Sequence, residues 1–231
     1  MQGKKILVID DDINLGQAIK LTFARAGAEV LTAVDGRDGL RQFYEHRPDL
    51  VILDVRMPDI DGWETCRQIR LLSNVPIIML TTMNRDEDIL QGFDYGADDF
   101  VTKPFSREVL LARARAVMRR TELLNEAEDH SIYHDQYLNI DLRKRRIIVN
   151  GGQVQLTATE FRLLAYLLQN ADQILTYQNI LDKVWGWEYQ NNIDYVHVYI
   201  SHLRKKLEAD PRNPQYVRTE RGVGYRFQRQ K

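Results

Sequence analysis

Short runs of consecutive apolar residues alternate with amphipathic stretches through the first half of the chain. The runs are Ile6-Leu7-Val8-Ile9, Leu50-Val51-Ile52-Leu53, Ile77-Ile78-Met79-Leu80 and Phe100-Val101, with a shorter Val30-Leu31. A short apolar run without alternation predicts a strand covered on both faces, as in a parallel sheet. After the first run, Leu15, Ala18, Ile19, Thr22, Phe23 and Ala26 recur at helical spacing, and Gly27 sits where a helix end favours positive φ. Leu40, Phe43 and Tyr44 mark a second helix. Further helices are predicted over about 62–72, 85–95 and 106–120, with Ser106 as a cap for the last. Five βα units of this length predict an α/β, flavodoxin-like (βα)5 domain over residues 1–121.

The pattern then changes. Residues 122–131 lack a sustained apolar face and carry Glu122, Glu126, Glu128 and Asp129, which predicts a solvated linker, with Leu123 and Leu124 able to prolong the preceding helix. Tyr137 to Leu142 and Arg146 to Val149 bracket a basic turn, and Asn150-Gly151-Gly152 is a strong turn signal. Thr157-Ala158-Thr159-Glu160 has the capping-box spacing, followed by an apolar face of Phe161, Leu164, Leu167 and Leu168. Helices over about 177–184 and 193–207 follow, the second with a buried stripe of Val196, Ile200, Leu203 and Leu207. The chain closes with Tyr216-Val217-Arg218, a turn near Gly222-Val223-Gly224, and Tyr225-Arg226-Phe227. Small sheet, three helices and terminal hairpin is the order of an α+β winged helix-turn-helix, expected over residues 132–231.

Composition narrows the class. A chain of 231 residues suits one large domain or two modest ones, and 28% charged residues is ordinary for a globular protein. With no apolar stretch of about 18 residues, a membrane span is not expected. Met-Gln-Gly-Lys-Lys runs directly into a strand-like segment and leaves no room for a signal peptide. Cys66 is the sole cysteine, so no internal disulfide can form; a cytoplasmic location is expected, with Cys66 as helix packing. The net charge of −1 hides a split: residues 1–121 balance at −2, residues 122–131 at −4 and residues 132–231 at +5. Such asymmetry hints at a C-terminal module that meets a polyanion.

The chemistry gathers at one edge. Asp10, Asp11, Asp54, Thr81 and Lys103 each follow closely on an apolar run, and ligands of an open parallel sheet bind outside the carboxyl ends of its strands. Three carboxylates that close are costly to ionise together unless a cation neutralises them, and Mg²⁺ suits oxygen ligands shared with phosphate. Asp54 could attack a phosphoryl group to give an aspartyl phosphate, Lys103 could offset charge on its oxygens, and Thr81 could donate a hydrogen bond. Any one such acid is commonly a solvated loop carboxylate. The joint pattern reverses that reading, because Asp54-Val55-Arg56-Met57-Pro58-Asp59-Ile60-Asp61-Gly62 opens directly after a buried strand and Lys103-Pro104-Phe105 closes the last one.

With these motifs, residues 1–121 resemble a receiver domain of two-component response regulators. The resemblance implies Asp54 as phosphoacceptor, with Asp11 binding Mg²⁺ directly, Asp10 largely through water, and the backbone carbonyl of Arg56 completing the protein ligands. It further implies that Lys103 contacts the phosphoryl group, that Thr81 reorients toward it, and that the Lys103-Pro104 bond is cis. Phe100 stands where receivers often carry a switch tyrosine and lacks its hydroxyl. The Arg56 side chain contacts the phosphoryl group, hinders an attacking water, or is a solvated loop arginine; the sequence leaves these open. Receivers of this kind pair when phosphorylated, which here would use Asp98, Asp99, Arg113 and Arg119. One usual basic–acidic pair on that face falls on Ile89 and Val109, which predicts an apolar contact in its place.

Thr159-Glu160-Phe161-Arg162-Leu163-Leu164, Val184-Trp185-Gly186, Leu203-Arg204-Lys205-Lys206-Leu207 and Arg221 to Phe227 resemble the effector domain of the OmpR/PhoB family. This implies a recognition helix near 193–208 in the major groove and a hairpin wing on the minor groove. Removing the buried stripe leaves Tyr195, Val198, Ser201, His202 and Lys205 on the accessible side. Val198 could meet a thymine methyl, Ser201 and His202 offer hydrogen bonds, Arg204 and Lys205 suit phosphates, and Arg221 could enter the minor groove. His202 stands where family members often carry arginine. Trp185 and Trp187 are expected as packing and loop anchors, and a contact of residues 186–193 with RNA polymerase stays open. The function implied is a phosphorylation-regulated transcription factor, served by a sensor histidine kinase or small phosphodonor, binding double-stranded DNA as a homodimer. A signalling module whose C-terminal half binds protein is the alternative. A haloacid-dehalogenase-like phosphatase is disfavoured, since such enzymes carry a second acid two residues after the nucleophile and this chain has Arg56.

Overall fold

The computed structural model describes residues 1–82, 95–122, 132–186, 189 and 193–230, without the side chains of 119–122. The chain forms two compact units, Met1–Arg120 and Thr121–Lys231. In the first, β1 (Lys5–Ile9), β2 (Glu29–Ala33), β3 (Leu50–Asp54), β4 (Ile77–Thr81) and β5 (Asp99–Thr102) form a parallel sheet ordered β2-β1-β3-β4-β5. Helices α1 (Ile13–Arg25), α2 (Gly36–His46), α3 (Gly62–Leu72) and α4 (Arg107–Glu122) accompany it. The helix expected at 85–95 lies almost wholly outside the described residues.

Continuous apolar runs are explained by burial on both faces. Ile6, Val8, Leu50, Ile52, Ile78 and Leu80 face a cluster with Ile19 and Phe23 of α1 and Leu110, Ala114 and Val117 of α4. The alternate residues, Leu7, Ile9, Val51, Leu53, Ile77 and Met79, are equally buried, as are Phe43, Cys66 and Ile69 of α2 and α3. Three helices begin on aspartates: Asp12, Asp35 and Asp61 each accept backbone N–H bonds from the first turn. Each cap contributes about 1 kcal/mol and fixes where its helix leaves the carboxyl edge of the sheet. The strand order reverses between β1 and β3, so the crevice of this domain opens beside Ile9 and Asp54.

The second unit starts with an antiparallel sheet of β6 (Ile132–His134), β7 (Leu138–Asp141), β8 (Arg146–Val149) and β9 (Gly152–Val154). Asn150 and Gly151, both at positive φ, make the two-residue turn between β8 and β9. Helices α5 (Ala158–Gln169), α6 (Tyr177–Val184) and α7 (Ile193–Leu207) follow, then a three-stranded sheet ordered β10 (Leu175–Thr176), β12 (Gly224–Phe227), β11 (Val217–Glu220). Neither β6 nor β10 was legible in the sequence, because two or three residues are too few to show a period. A Cβ on Gly224 would lie 1.9 Å from the Leu175 carbonyl oxygen, so the β10–β12 pairing depends on glycine there. Among the described residues no helix is long and apolar enough to cross a membrane.

Asp98 takes a role that its sequence position did not suggest. Expected on a pairing face, it is 1% exposed and inside the domain. Its carboxylate accepts bonds from Arg70 Nη2 at 2.8 Å and the Ile77 amide at 3.0 Å. Arg70 also donates to the carbonyls of Gly96 and Val75, tying α3 to the entrances of β4 and β5. Removing one partner of a buried, hydrogen-bonded ion pair leaves a charge uncompensated, at a cost of about 3–5 kcal/mol. Arg70→Ala should therefore destabilise the first domain by about that amount in a urea titration followed by circular dichroism. A loss below about 1 kcal/mol would show the pair to behave as a solvated one.

Candidate functional site

Asp10, Asp11 and Asp54 converge at the crevice, each offering a carboxylate oxygen within 4.8 Å of the others. Asp10 and Asp54 are buried at the ends of neighbouring strands, whereas Asp11 is exposed. Lys103, arriving from β5, places Nζ 2.9 Å from Asp10 Oδ2 and 3.0 Å from Asp54 Oδ2. Burial raises the Asp54 pKa above its ordinary value. The hydrogen bond and charge of Lys103 and the Arg56 amide work against that rise, while the Asp10 charge adds to it. For Lys103, burial would lower the pKa, but the two carboxylates prevail and raise it. An anionic all-oxygen donor set of this kind could hold a hard divalent cation.

The loop after β3 is pressed against the site. A Cβ on Gly62 would lie 2.1 Å from the Asp54 carbonyl oxygen, which explains the glycine that closes the sequence motif. An open cavity of about 540 Å³ beside the acids is lined by Asp11, Val55, Arg56, Met57, Pro58, Asp61 and Trp63. Thr81, at the end of β4, is buried, and its carbonyl accepts the Lys103 amide at 2.6 Å. The Lys103-Pro104 bond is cis. Phe100 is 4% exposed, its ring 6.1 Å from Trp63, which in turn stacks on Tyr95 at 5.6 Å. Trp63 had no role in the sequence reading, since a lone aromatic at a helix start carries no chemical signal.

The expected pairing face is only partly as anticipated. Asp99 is buried and bonds Arg113 Nη1 of its own domain at 3.0 Å, so this pair is intramolecular rather than held ready for a second copy. Asp98, as above, is spent on Arg70. Val109 is 45% exposed in the first turn of α4. Ile89 and the Arg119 side chain lie outside the described residues.

In the second unit, charged side chains tie α7 to α5 and to the hairpin. Glu160 closes the capping box of α5 and accepts from Lys206 Nζ at 2.6 Å. Arg204 donates to the Val217 carbonyl and Thr219 hydroxyl, and its guanidinium lies over the Tyr225 ring at 5.5 Å. The buried Glu208 accepts the amides of Gln215, Tyr216 and Val217, fixing the start of β11.

Three expectations for this helix are corrected. Tyr195 is 8% exposed, its ring against Trp185 and Tyr189, because the apolar stripe is wider than the four residues assigned to it. The His202 side chain is 11% exposed and lies 3.9 Å from Glu160, turned into the domain. Arg204 serves the hairpin, as its bonds show, rather than standing as an open phosphate contact. Ser201 and Lys205 are exposed, Val198 is half-buried, and Arg221 is exposed at the hairpin turn. His197, omitted from the sequence reading, is exposed on the same side as Ser201 and Lys205. Trp185 is buried as expected, and Trp187 lies outside the described residues.

Known proteins match both units. Residues 6–115 match a response regulator receiver domain, and residues 151–227 match the C-terminal domain of transcriptional regulatory proteins. The probable transcriptional regulator ycf27 of Galdieria sulphuraria is 42% identical over 231 residues, covering 98% of this chain and 91% of that protein. The DNA-binding dual master transcriptional regulator RpaA of Synechocystis is 40% identical, over 96% of this chain and 93% of that protein. Among solved structures, DrrB, a Thermotoga maritima OmpR/PhoB homologue, is 35% identical with a TM-score of 0.52, over 99% of this chain and 100% of that one.

The Asp10–Lys103–Asp54 geometry generates a prediction with a definite sign. Lys103→Met removes the cation that opposes the effect of burial, so the Asp54 pKa should rise further above the ordinary carboxylate value. A carbon-detected NMR titration of the carboxyl groups in metal-free buffer reads this directly; an unchanged or lower midpoint would contradict the arrangement.

Proposed function

For this chain, which belongs to the OmpR/PhoB-type response regulators, we propose that Asp54 accepts the phosphoryl group and that α7 and the terminal hairpin read DNA. The protein is a phosphorylation-regulated transcription factor of a two-component system. The observation that carries the Asp54 assignment is its pairing with Lys103 at the strand-order reversal, beside an open cavity.

Asp54, as a carboxylate, attacks phosphorus of a phosphohistidine or small acyl phosphate. An O–P bond forms to Asp54, and the P–N or P–O bond of the donor breaks with its electron pair leaving on the donor. Lys103, already within 3.0 Å of Asp54, shifts its ammonium toward the phosphoryl oxygens while staying beside Asp10. Thr81 supplies a hydroxyl at the neighbouring strand end. Asp10, Asp11, Asp54 and the Arg56 carbonyl would hold Mg²⁺, which when bound offsets negative charge on the transferring group. Arg56, rather than a second acid, follows the nucleophile, in keeping with a phosphoacceptor that does not turn over an external substrate.

We further infer that the phosphorylated receiver pairs with a second copy through the face bearing Val109, with exposed apolar surface in place of the ion pairs that Asp98 and Asp99 form internally. On DNA, Ser201, Val198 and Lys205 face the groove, and Arg221 lies on the wing. The location proposed is the cytoplasm.

Two measurements test the core of this reading. Asp54→Asn should abolish incorporation of labelled phosphate from acetyl phosphate with Mg²⁺ while leaving the circular dichroism spectrum unchanged; labelling at the wild-type rate would move the acceptor elsewhere. Lys205→Ala should weaken binding to random-sequence duplex DNA and reduce the slope of log affinity against log salt by about one. An unaltered slope would remove Lys205 from the phosphate contacts.

A further inference from the structure

His197 stands beside Ser201 and Lys205 on α7 but has no part in the contacts proposed above. It projects from α7 at an exposed position, one turn before Ser201 and two before Lys205. Together with Ser201, Arg204, Lys205 and residues Asp210 to Arg212 it lines a cavity of about 400 Å³ along this helix. An exposed histidine would ordinarily rotate freely. This one is clamped: its Nδ1 lies 2.7 Å from the Tyr225 hydroxyl on β12. Its ring is edge-on to Tyr177 of α6 at 5.2 Å and to Tyr225 at 6.0 Å.

We propose that His197 is a specificity-determining residue that reads a guanine in the major groove, with Tyr225 as the positioning residue that holds it in one tautomer. The proposal rests on α7 being the recognition helix. In a neutral imidazole one nitrogen donates and the other accepts, and the bond made by the first decides the role of the second. A separation of 2.7 Å is usual for a hydroxyl donor and short for a ring N–H donor. Phenol is also a stronger acid than imidazole N–H, so the proton of the bond belongs to Tyr225. Burial raises the Tyr225 pKa, against the pull of the Arg204 cation, so the hydroxyl keeps its proton at neutral pH.

The donation into Nδ1 leaves the ring proton on Nε2. His197 then presents a donor to the base edges. Guanine offers two adjacent major-groove acceptors, N7 and O6; thymine offers O4 alone beside its methyl, adenine sets an amino donor beside its N7, and cytosine offers a donor. A single oriented N–H thus favours guanine and rejects cytosine. Ser201, whose hydroxyl can donate or accept, cannot discriminate in this way alone.

The test uses the full chain, activated with beryllofluoride, and selection from a pool of randomised duplexes. The wild type should select a guanine at one position of each half-site. His197→Ala should lose that preference alone and bind the wild-type sequence about tenfold more weakly. Tyr225→Phe keeps the ring but frees the tautomer. It should broaden the same position to admit cytosine or adenine, and imidazole ¹⁵N shifts should change from an Nε2-protonated ring to a mixture. An unchanged selected motif for His197→Ala, or an unchanged tautomer in Tyr225→Phe, overturns the proposal. Lys205→Ala separates the two levels of inference. If it leaves DNA affinity intact, the assignment of α7 fails; if it weakens binding while His197→Ala selects the wild-type motif, only the role of His197 fails.

Discussion

Lys103 carries one ammonium group between two carboxylates that come from different strands, 2.9 Å from Asp10 and 3.0 Å from Asp54. The first domain is organised around keeping that triangle intact. Two buried carboxylates at neighbouring strand ends repel each other and lose hydration, and the lysine compensates both costs at once. Parallel register sets Asp10 and Asp54 side by side, while the aspartate caps of α1 and α3 direct the chain away from the crevice. The close approach of Gly62 to the Asp54 carbonyl keeps the loop wall in place. On the proposed function, a phosphoryl group arriving there would add negative charge to carboxylates that one cation only partly offsets.

The second unit shows the same economy with different groups. Glu160 finishes the cap of α5 and also anchors Lys206, so one buried carboxylate fixes both the start of the first helix and the end of the third. Arg204 and Glu208 bind the hairpin to α7 from opposite signs of charge. Helix and hairpin are thereby tied together, the preorganisation that the proposed DNA reading would draw on. Two of the three basic residues in the last turn of α7, Arg204 and Lys206, are therefore structural. On the proposed function, the electrostatic contribution to DNA binding would fall to fewer residues than their number in the sequence suggests, Lys205 and Arg221 among the exposed ones.

The receiver face that bears Val109 follows a related logic. Asp98 and Asp99 sit beside a strand edge in the sequence, where acids usually meet solvent. Each is instead neutralised within its own domain, by Arg70 and Arg113. In the pairing proposed above, a second copy would meet the exposed Val109 rather than an open carboxylate. Such a contact draws on burial of area, at roughly 25 cal/mol per Å², and is less sensitive to salt than exposed ion pairs.

The sequence by itself determined the five-stranded sheet, the helices described around it, the capping box, the turn at Asn150-Gly151 and the gathering of Asp10, Asp54 and Lys103 at one edge. These are local signals: a buried strand needs a continuous apolar run, a cap needs a side-chain oxygen at the helix start, and a strand end fixes where the next residue lies. Tertiary structure alone decided which charges are spent. Lys206 meets Glu160 46 residues away, Arg70 meets Asp98 across 28, and His197 meets Tyr225 across 28. Helical periodicity ranks positions by angle but does not say how wide the buried sector is. Tyr195 and His202 thus turned inward while His197 stayed outside. The physical reason is that burial and pairing belong to the surface an element packs against, and that surface is built from residues the local pattern does not contain.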